Sequence, residues 1–299
     1  MTIHNALENF IRSRYRKGLS DKTIESYLLL TARFVSYFGE DFEMENISQE
    51  NIDCFIDSLY VSGLARNSIA SYIRNTRIFL KWYGQKNPVN YSASEIPVPK
   101  TPKKILRLYS PHDIELIFEK AEVASPWLTA RNRAIIVLML DSGLRQGEIC
   151  TLKKKDVDFD NFRLKVCGKG NKERFVPLGK LATKFLKDYF AMCPYEDSEN
   201  VFVNYHGKDL SCGAVKSMTW DIQEKLPFEF SSHKLRHNFA TNYLLNQYEQ
   251  FGQMDIYSLM TIMGHEDVAT VRRYLHDANN ILSSRTCISH LDKLFAEAV

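Results

Sequence analysis

Over the first 85 positions, apolar residues recur at steps of three and four, and the breaks in that rhythm fall at capping residues. Ile3, Leu7, Phe10 and Ile11 predict a helix that stops near Gly18. Ser20 is placed to cap a second, ending at Gly39, and Ser48 to cap a third that runs to about Val61. A fourth, from Ala65 to Tyr83, puts Ile69, Tyr72, Ile73, Phe79, Leu80 and Tyr83 on its buried side. Residues 87–107, NPVNYSASEIPVPKTPKKILR, hold four prolines and no period, so they read as a linker between domains. Ser110-Pro111-His112-Asp113 then opens a new helix, with a capping serine, proline at the first position and a carboxylate at the third.

Beyond that point the pattern is mixed. It predicts helices at 111–123, 129–141, 180–192, 211–225, 233–246, 255–263 and 267–274. FRLKVCGKGNKERFVPL reads as two short strands joined by a glycine-rich turn. From Asn279 onward, Ile281, Leu282, Ile288, Leu291, Leu294 and Phe295 return to a helical repeat, giving an amphipathic last helix. The fold class is therefore mainly α with a small β-sheet.

Composition narrows this only a little. With 299 residues and 44% hydrophobic content, the chain can bury a substantial core in two domains. Its net charge of +3 does not announce a nucleic-acid partner, and residues 1–100 carry 12 Lys and Arg against 11 Asp and Glu. Local clusters must carry that case. Arg74, Arg77 and Lys81 share one side of the fourth helix, and Lys103 and Lys104 lie in the basic end of the linker, so these five are the candidates for DNA-phosphate contact. Six cysteines, with no CxxC and no zinc spacing, suit reduced thiols. The N-terminus has no signal-peptide pattern, and no run approaches the roughly 20 apolar residues of a membrane span. The expectation is a cytoplasmic protein without a membrane partner.

Candidate chemistry sits in four segments. In HKLRH, His233, Arg236 and His237 stand at i, i+3 and i+4 in the first turns of a helix, the end whose dipole repels cations. A bound anion resolves that conflict. Zinc does not, because Lys234 occupies the place of the HExxH glutamate and Arg236 would face the cation; no metal and no cofactor are expected. Gly143-Leu144-Arg145 places an arginine on a glycine turn, suited to bidentate anion binding or, more plainly, to an ion pair with Glu148 or Asp141. Lys169 in GKGNKER is either a solvated hairpin lysine or a proton donor at a phosphate. His265 follows Gly264, and Tyr274 follows nine residues later beside Arg272 and Arg273.

Taken together and in this order, GLR, GKGNKER, HKLRH-FAT-LL and MGH with its tyrosine resemble the tyrosine recombinase (phage integrase) family, in its compact, Xer-like form. The resemblance covers residues 108–299 by motif and the helical region before them by helix count. It implies a helical, SAM-like four-helix core-binding domain over 1–86, the proline-rich linker over 87–107, and an α+β catalytic domain over 108–299 of the tyrosine recombinase/type IB topoisomerase type. Carried over position by position, it makes Arg145, Lys169, His233, Arg236, His265 and Tyr274 the catalytic set, with Tyr274 the nucleophile. Two features depart from the family pattern. NQYEQFGQMDIYSLMTIMGH is longer than usual, which is expected to be a loop insertion, and VATVRRY replaces a common Thr-Thr pair.

The resemblance further implies site-specific recombination of double-stranded DNA carrying inverted-repeat core sites, through a covalent 3′-phosphotyrosyl link and without ATP. Arg145 and Arg236 would hold the phosphate oxygens, Lys169 protonate the leaving 5′ oxygen, His265 steady the phosphate and His233 accept the phenol proton. The cationic surroundings are expected to favour the Tyr274 phenolate. A homo-tetramer on two DNA sites, closed through the C-terminal helix, is implied, with an accessory protein as a further possible partner. The alternatives are DNA relaxation of the type IB topoisomerase kind, or a DNA-binding protein without recombination activity.

Overall fold

The computed structural model describes residues 1–100, 107–168 and 172–286, without the side chains of residues 285 and 286. Lys103, Lys104 and Lys169 lie outside the described residues, as does the last part of the expected C-terminal helix from residue 287 onward. The chain is mainly helical with a three-stranded sheet. It divides into two compact units, Met1–Lys104 and Ile105–Val299.

The first unit holds α1 (Ile3–Arg16), α2 (Asp21–Phe38), α3 (Gln49–Val61) and α4 (Arg66–Gly84). Their starts follow the capping rule. Thr2 accepts from the Asn5 N–H at 3.3 Å, and Ser48 and Asn51 cap each other's backbone at the head of α3. Ser20 stands at the N-cap of α2, but its hydroxyl meets Thr23 Oγ1 at 2.9 Å and no backbone N–H. The apolar faces meet in an aromatic centre where the Phe10 ring is edge-on to Phe79 and to Trp82, each at 5.4 Å, and Phe34 to Phe55 at 5.0 Å. Full burial of each such ring contributes about 1.5–3 kcal/mol. Residues 87–98, expected to be linker, instead lie against this core. Ile96 is buried, Val89, Tyr91 and Val98 are partly so, and Tyr91 Oη donates to the Leu80 carbonyl at 3.3 Å.

The second unit opens with α5 (Pro111–Lys120), whose Ser110–Asp113 capping box and leading proline match the sequence signal. Next come α6 (Pro126–Asp141), the short α7 (Gln146–Thr151), β1 (Val157–Asp158), β2 (Arg163–Cys167), β3 (Glu173–Pro177), α8 (Lys180–Met192) and α9 (Cys212–Gln223). The final helices are α10 (Ser232–Phe251), α11 (Ile256–Met263) and α12 (Val268–Thr286). Helix α6 is buried on every side from Ala134 to Met139 and packs against both α8 and α10. The strands run antiparallel in the order β1-β2-β3, and the Leu164↔Val176 pair turns into the core. Two residues of β1 are too few for a period of two to show in the sequence.

Three elements differ from the sequence expectation. Helix α6 begins at Pro126 because proline supplies the first-turn φ and needs no N–H acceptor. Helix α10 continues to Phe251, where Gly252 closes it at φ +70°, so the extra residues lengthen a helix and do not form a loop insertion. The segment around Tyr274 and the repeat from Asn279 are one helix, α12, through Thr286. No glycine or proline stands between them to break it.

Candidate active site

Gly143, between α6 and α7, adopts φ +62°, and a Cβ there would lie 2.2 Å from Phe239 Cδ1. Only glycine fits this turn, and the turn aims Arg145. Arg145 caps α7: its backbone N–H reaches Glu148 Oε2 at 2.8 Å, and its guanidinium reaches Oε1 at 2.9 Å. Its other Nη donates to the Gly264 carbonyl at 2.9 Å. Arg174 on β3 meets the same carboxylate with two bonds, at 2.8 and 2.9 Å, and donates Nε to the Ile262 carbonyl at 2.7 Å. Arg236, on the second turn of α10 and 5% exposed, donates to the carbonyls of Gly143 and Met263, the latter at 2.6 Å. It also lies 3.2 Å from His265 Nε2 and 3.9 Å from Glu148 Oε2.

Three guanidiniums from α7, β3 and α10 therefore grip three consecutive carbonyls, 262 to 264, at the C-terminus of α11, where the helix dipole is negative. Glu148 is the anion at their centre, 4% exposed. Burial alone would raise its pKa. The bonds from Arg174 and the Arg145 backbone, with both guanidinium charges, outweigh burial and hold the carboxyl below its ordinary range. Arg236 pays for its position: burial first, then the Arg145 charge, lower it to about 10.

Tyr274 enters from α12 and is 4% exposed among Phe239, Leu244, Leu259, Met263 and Val271. Its ring stacks on His265 at 6.2 Å and meets the edge of His237 at 4.5 Å. Here the structure corrects an expectation. The charges of Arg236, Arg273 and Arg145 do act to lower the phenol pKa, but burial is larger and raises it above the ordinary tyrosine value. The resting site stores a phenol and not a phenolate. A second correction concerns His233, which is exposed and whose ring approaches His237 at 5.8 Å, not Tyr274. Partial desolvation, Arg273 and Arg236 lower its pKa. Burial, then Arg236 and Arg145, lower His265 to about 4.

The structure thus brings Arg145, Arg236, His265 and Tyr274 together and leaves His233 at the rim. In the first unit, Arg74 and Lys81 are exposed on α4, whereas Arg77 is partly buried and donates to the Ser94 carbonyl at 3.1 Å. Sequence reasoning assigned no role to Arg174 and saw Glu148 only as an ion-pair partner for Arg145. The available signal was the spacing of Arg145 and Glu148, which is that of a capping pair at the head of a helix. Among the described residues, no group of three or more His, Cys, Asp or Glu is placed to hold a metal ion. No described helix is long and apolar enough to cross a membrane.

Three guanidiniums thus converge beside a buried tyrosine on a mainly helical frame, an arrangement suited to holding an anion. The phage integrase family matches residues 108–280, and the chain belongs to that family, the tyrosine recombinases, which cut and rejoin DNA. It is 27% identical over 287 residues to the tyrosine recombinase XerD of Halalkalibacterium halodurans, across 92% of this chain and 94% of that protein. Among solved structures, it is similar to the XerH site-specific recombinase bound to palindromic difH substrate in its post-cleavage complex, with a TM-score of 0.70, 24% identity, and coverage of 94% of this chain and 83% of that one. It is also similar to a lambda integrase dimer bound to a COC′ core site, with a TM-score of 0.74, 18% identity, and coverage of 93% and 78%. The topoisomerase alternative is not favoured.

Proposed function

We propose that this recombinase acts on double-stranded DNA with inverted-repeat core sites, using Tyr274 as the nucleophile and leaving a 3′-phosphotyrosyl link. The observation that carries it is the convergence of Arg145 and Arg236 beside the Tyr274 ring. Donors fixed before the reaction stabilise the negative charge that grows on the non-bridging oxygens as phosphorus becomes pentacoordinate. Each guanidinium offers a planar fork that matches two oxygens. His265, already bonded to Arg236, steadies the phosphate, and Lys169 protonates the departing 5′ oxygen. His233, at the exposed rim, is placed to meet the incoming backbone. The phosphotyrosyl link conserves the bond energy, so a partner strand's 5′ hydroxyl reverses the chemistry without ATP.

Because Tyr274 is buried, attack requires α12 to shift from the arrangement described above when DNA binds. Core sites held by the helical first unit and by Arg74, Lys81, Lys103 and Lys104, a tetramer closed through the C-terminal segment, an accessory protein and a cytoplasmic setting complete the proposal. It is tested with a nicked suicide duplex carrying inverted-repeat half-sites of about one helical turn each. Covalent capture is read on a denaturing gel. Wild-type protein is expected to give the adduct and Tyr274→Phe to give none while still shifting the DNA; an adduct that persists in Tyr274→Phe overturns the nucleophile assignment.

A further inference from the structure

We propose that the Cys150 and Cys212 thiols are a modification site, joined into a reversible disulfide by hydrogen peroxide, and that the link slows DNA cleavage by displacing Arg145. The second half rests on the assignment of Arg145 and Tyr274 to the reaction.

The two cysteines are distant in sequence and adjacent in space. Cys150 lies in the last turn of α7, and Cys212 is the first residue of α9. Gln146 and Cys150 stand at i and i+4 on α7, so they share one face. That face meets the start of α9, because Gln146 Nε2 donates to the Cys212 carbonyl. One turn further along, the Cys150 and Cys212 thiols hydrogen-bond to each other. Both cysteines are free. The first turn of α9 is held in place, since Ser211 Oγ accepts from the Ala214 N–H at 3.1 Å.

The two thiols differ in access, and that sets the order of the chemistry. Cys212 is exposed and meets the oxidant. Cys150 is 8% exposed, and burial first, then the Cys212 thiol, push its pKa up to about 12, so it waits as a thiol. The Cys212 sulfur attacks one oxygen of hydrogen peroxide. The O–O bond breaks, leaving a sulfenic acid on Cys212, and the departing hydroxide takes the Cys212 proton to become water. The Cys150 sulfur then attacks the Cys212 sulfur, and its proton leaves with the displaced hydroxide as a second water. Two thiols have lost two protons and two electrons, and one peroxide has been reduced to two waters. A dithiol reductant returns both by exchange.

The link reaches the reaction through Gln146. This residue adjoins Arg145, and its Oε1 accepts from Ser232 Oγ, on the first residue of α10, at 3.4 Å. Its amide therefore bridges α9 to the head of the helix that carries Arg236. A disulfide holds its sulfurs about 2 Å apart, well inside any hydrogen bond, so forming it draws α9 and the end of α7 together. The pull acts on a helix of six residues whose N-cap is Arg145. Arg145 then moves relative to Arg236, which is anchored to the Met263 carbonyl. A displacement of about 1 Å in a positioned group costs about 100-fold in rate.

The experiment compares reduced and peroxide-treated protein by thiol alkylation with peptide mass mapping, and by single-turnover covalent capture on the nicked suicide duplex. DNA affinity is measured alongside. Treated wild type is expected to yield a peptide linked through Cys150 and Cys212 and to capture DNA at least about tenfold more slowly, with affinity unchanged. Dithiothreitol should restore the rate. Cys212→Ser, at an exposed position, should capture DNA normally and keep its rate in peroxide, and Cys150→Ala should do the same. Absence of the linked peptide overturns the modification site. A linked peptide with capture at the reduced protein's rate overturns the coupling to Arg145, and so does a loss of rate that Cys212→Ser shares. If reduced wild type captures no DNA, the nucleophile assignment fails and the coupling falls with it, while the peptide map still decides the cysteine pair.

Discussion

Arg174 and Glu148, 26 residues apart in the chain, form a two-pronged ion pair with Nη1–Oε1 2.8 Å and Nη2–Oε2 2.9 Å. Both side chains are nearly closed to solvent. The same carboxylate anchors Arg145 from the other side. One glutamate thus joins the β-hairpin to the arginine turn, and Arg174 joins both to the end of α11 through the Ile262 carbonyl.

Breaking that junction is expected to be costly. Glu148→Gln leaves Arg145, Arg174 and Arg236 facing one another without their shared anion, and removing one partner of a buried ion pair costs about 3–5 kcal/mol. Urea unfolding measures the loss, and covalent DNA capture should fall with it. An unfolding midpoint equal to that of the wild type would mean that the carboxylate is not what holds the three guanidiniums together.

The glycine turn makes a second prediction. In Gly143→Ala the new Cβ meets the Phe239 ring while the backbone stays at φ +62°. Left-handed backbone strain and overpacking together are worth about 2–4 kcal/mol. Thermal melting reads this directly. Gly147, where an added Cβ meets nothing within 4 Å, serves as the control and should tolerate alanine with a change below about 1 kcal/mol.

Arg236→Lys separates charge from geometry. A lysine keeps the positive charge but cannot donate at once to the Gly143 and Met263 carbonyls and to a phosphate. Capture should drop at least about 100-fold while DNA affinity changes little. A lysine variant that captures DNA at the wild-type rate would reduce the role of Arg236 to simple charge.

Stability should also fall in acid through the histidines. His237 has an ordinary value of 6.5 and is held near 4 in the folded state, so the unfolded chain binds a proton there that the folded chain refuses. Stability from this group is complete above pH 6.5 and is lost as pH falls from 6.5 towards about 4. The full loss is about 3 kcal/mol. His265 acts in the same direction. Urea midpoints at pH 7.5, 6 and 5 follow the loss, and His237→Phe should flatten the slope.

Much of this was legible along the chain. The periodic face of α4 and the Ser110–Asp113 cap follow from local geometry, and four ordered motifs pointed to the tyrosine recombinases. The departures came where local and distant forces compete. Residues 87–98 have no period and look like linker, yet Ile96 finds an apolar pocket that only the assembled helices create. A helical extension and a loop insertion have the same length in sequence, and the good helix formers before Gly252 decided between them.

By itself, the sequence determined the helices, the hairpin, the family and the residues on which to look for chemistry, because periodicity, caps and motif order are short-range properties. Only the tertiary structure decided that Glu148 is shared by Arg145 and Arg174, that His237 and not His233 meets the Tyr274 ring, and that burial outweighs the nearby arginines at the phenol. Each of these depends on burial and on charges carried by separate elements. Desolvation and Coulomb interactions are set by distance in space, and distance in sequence does not record it.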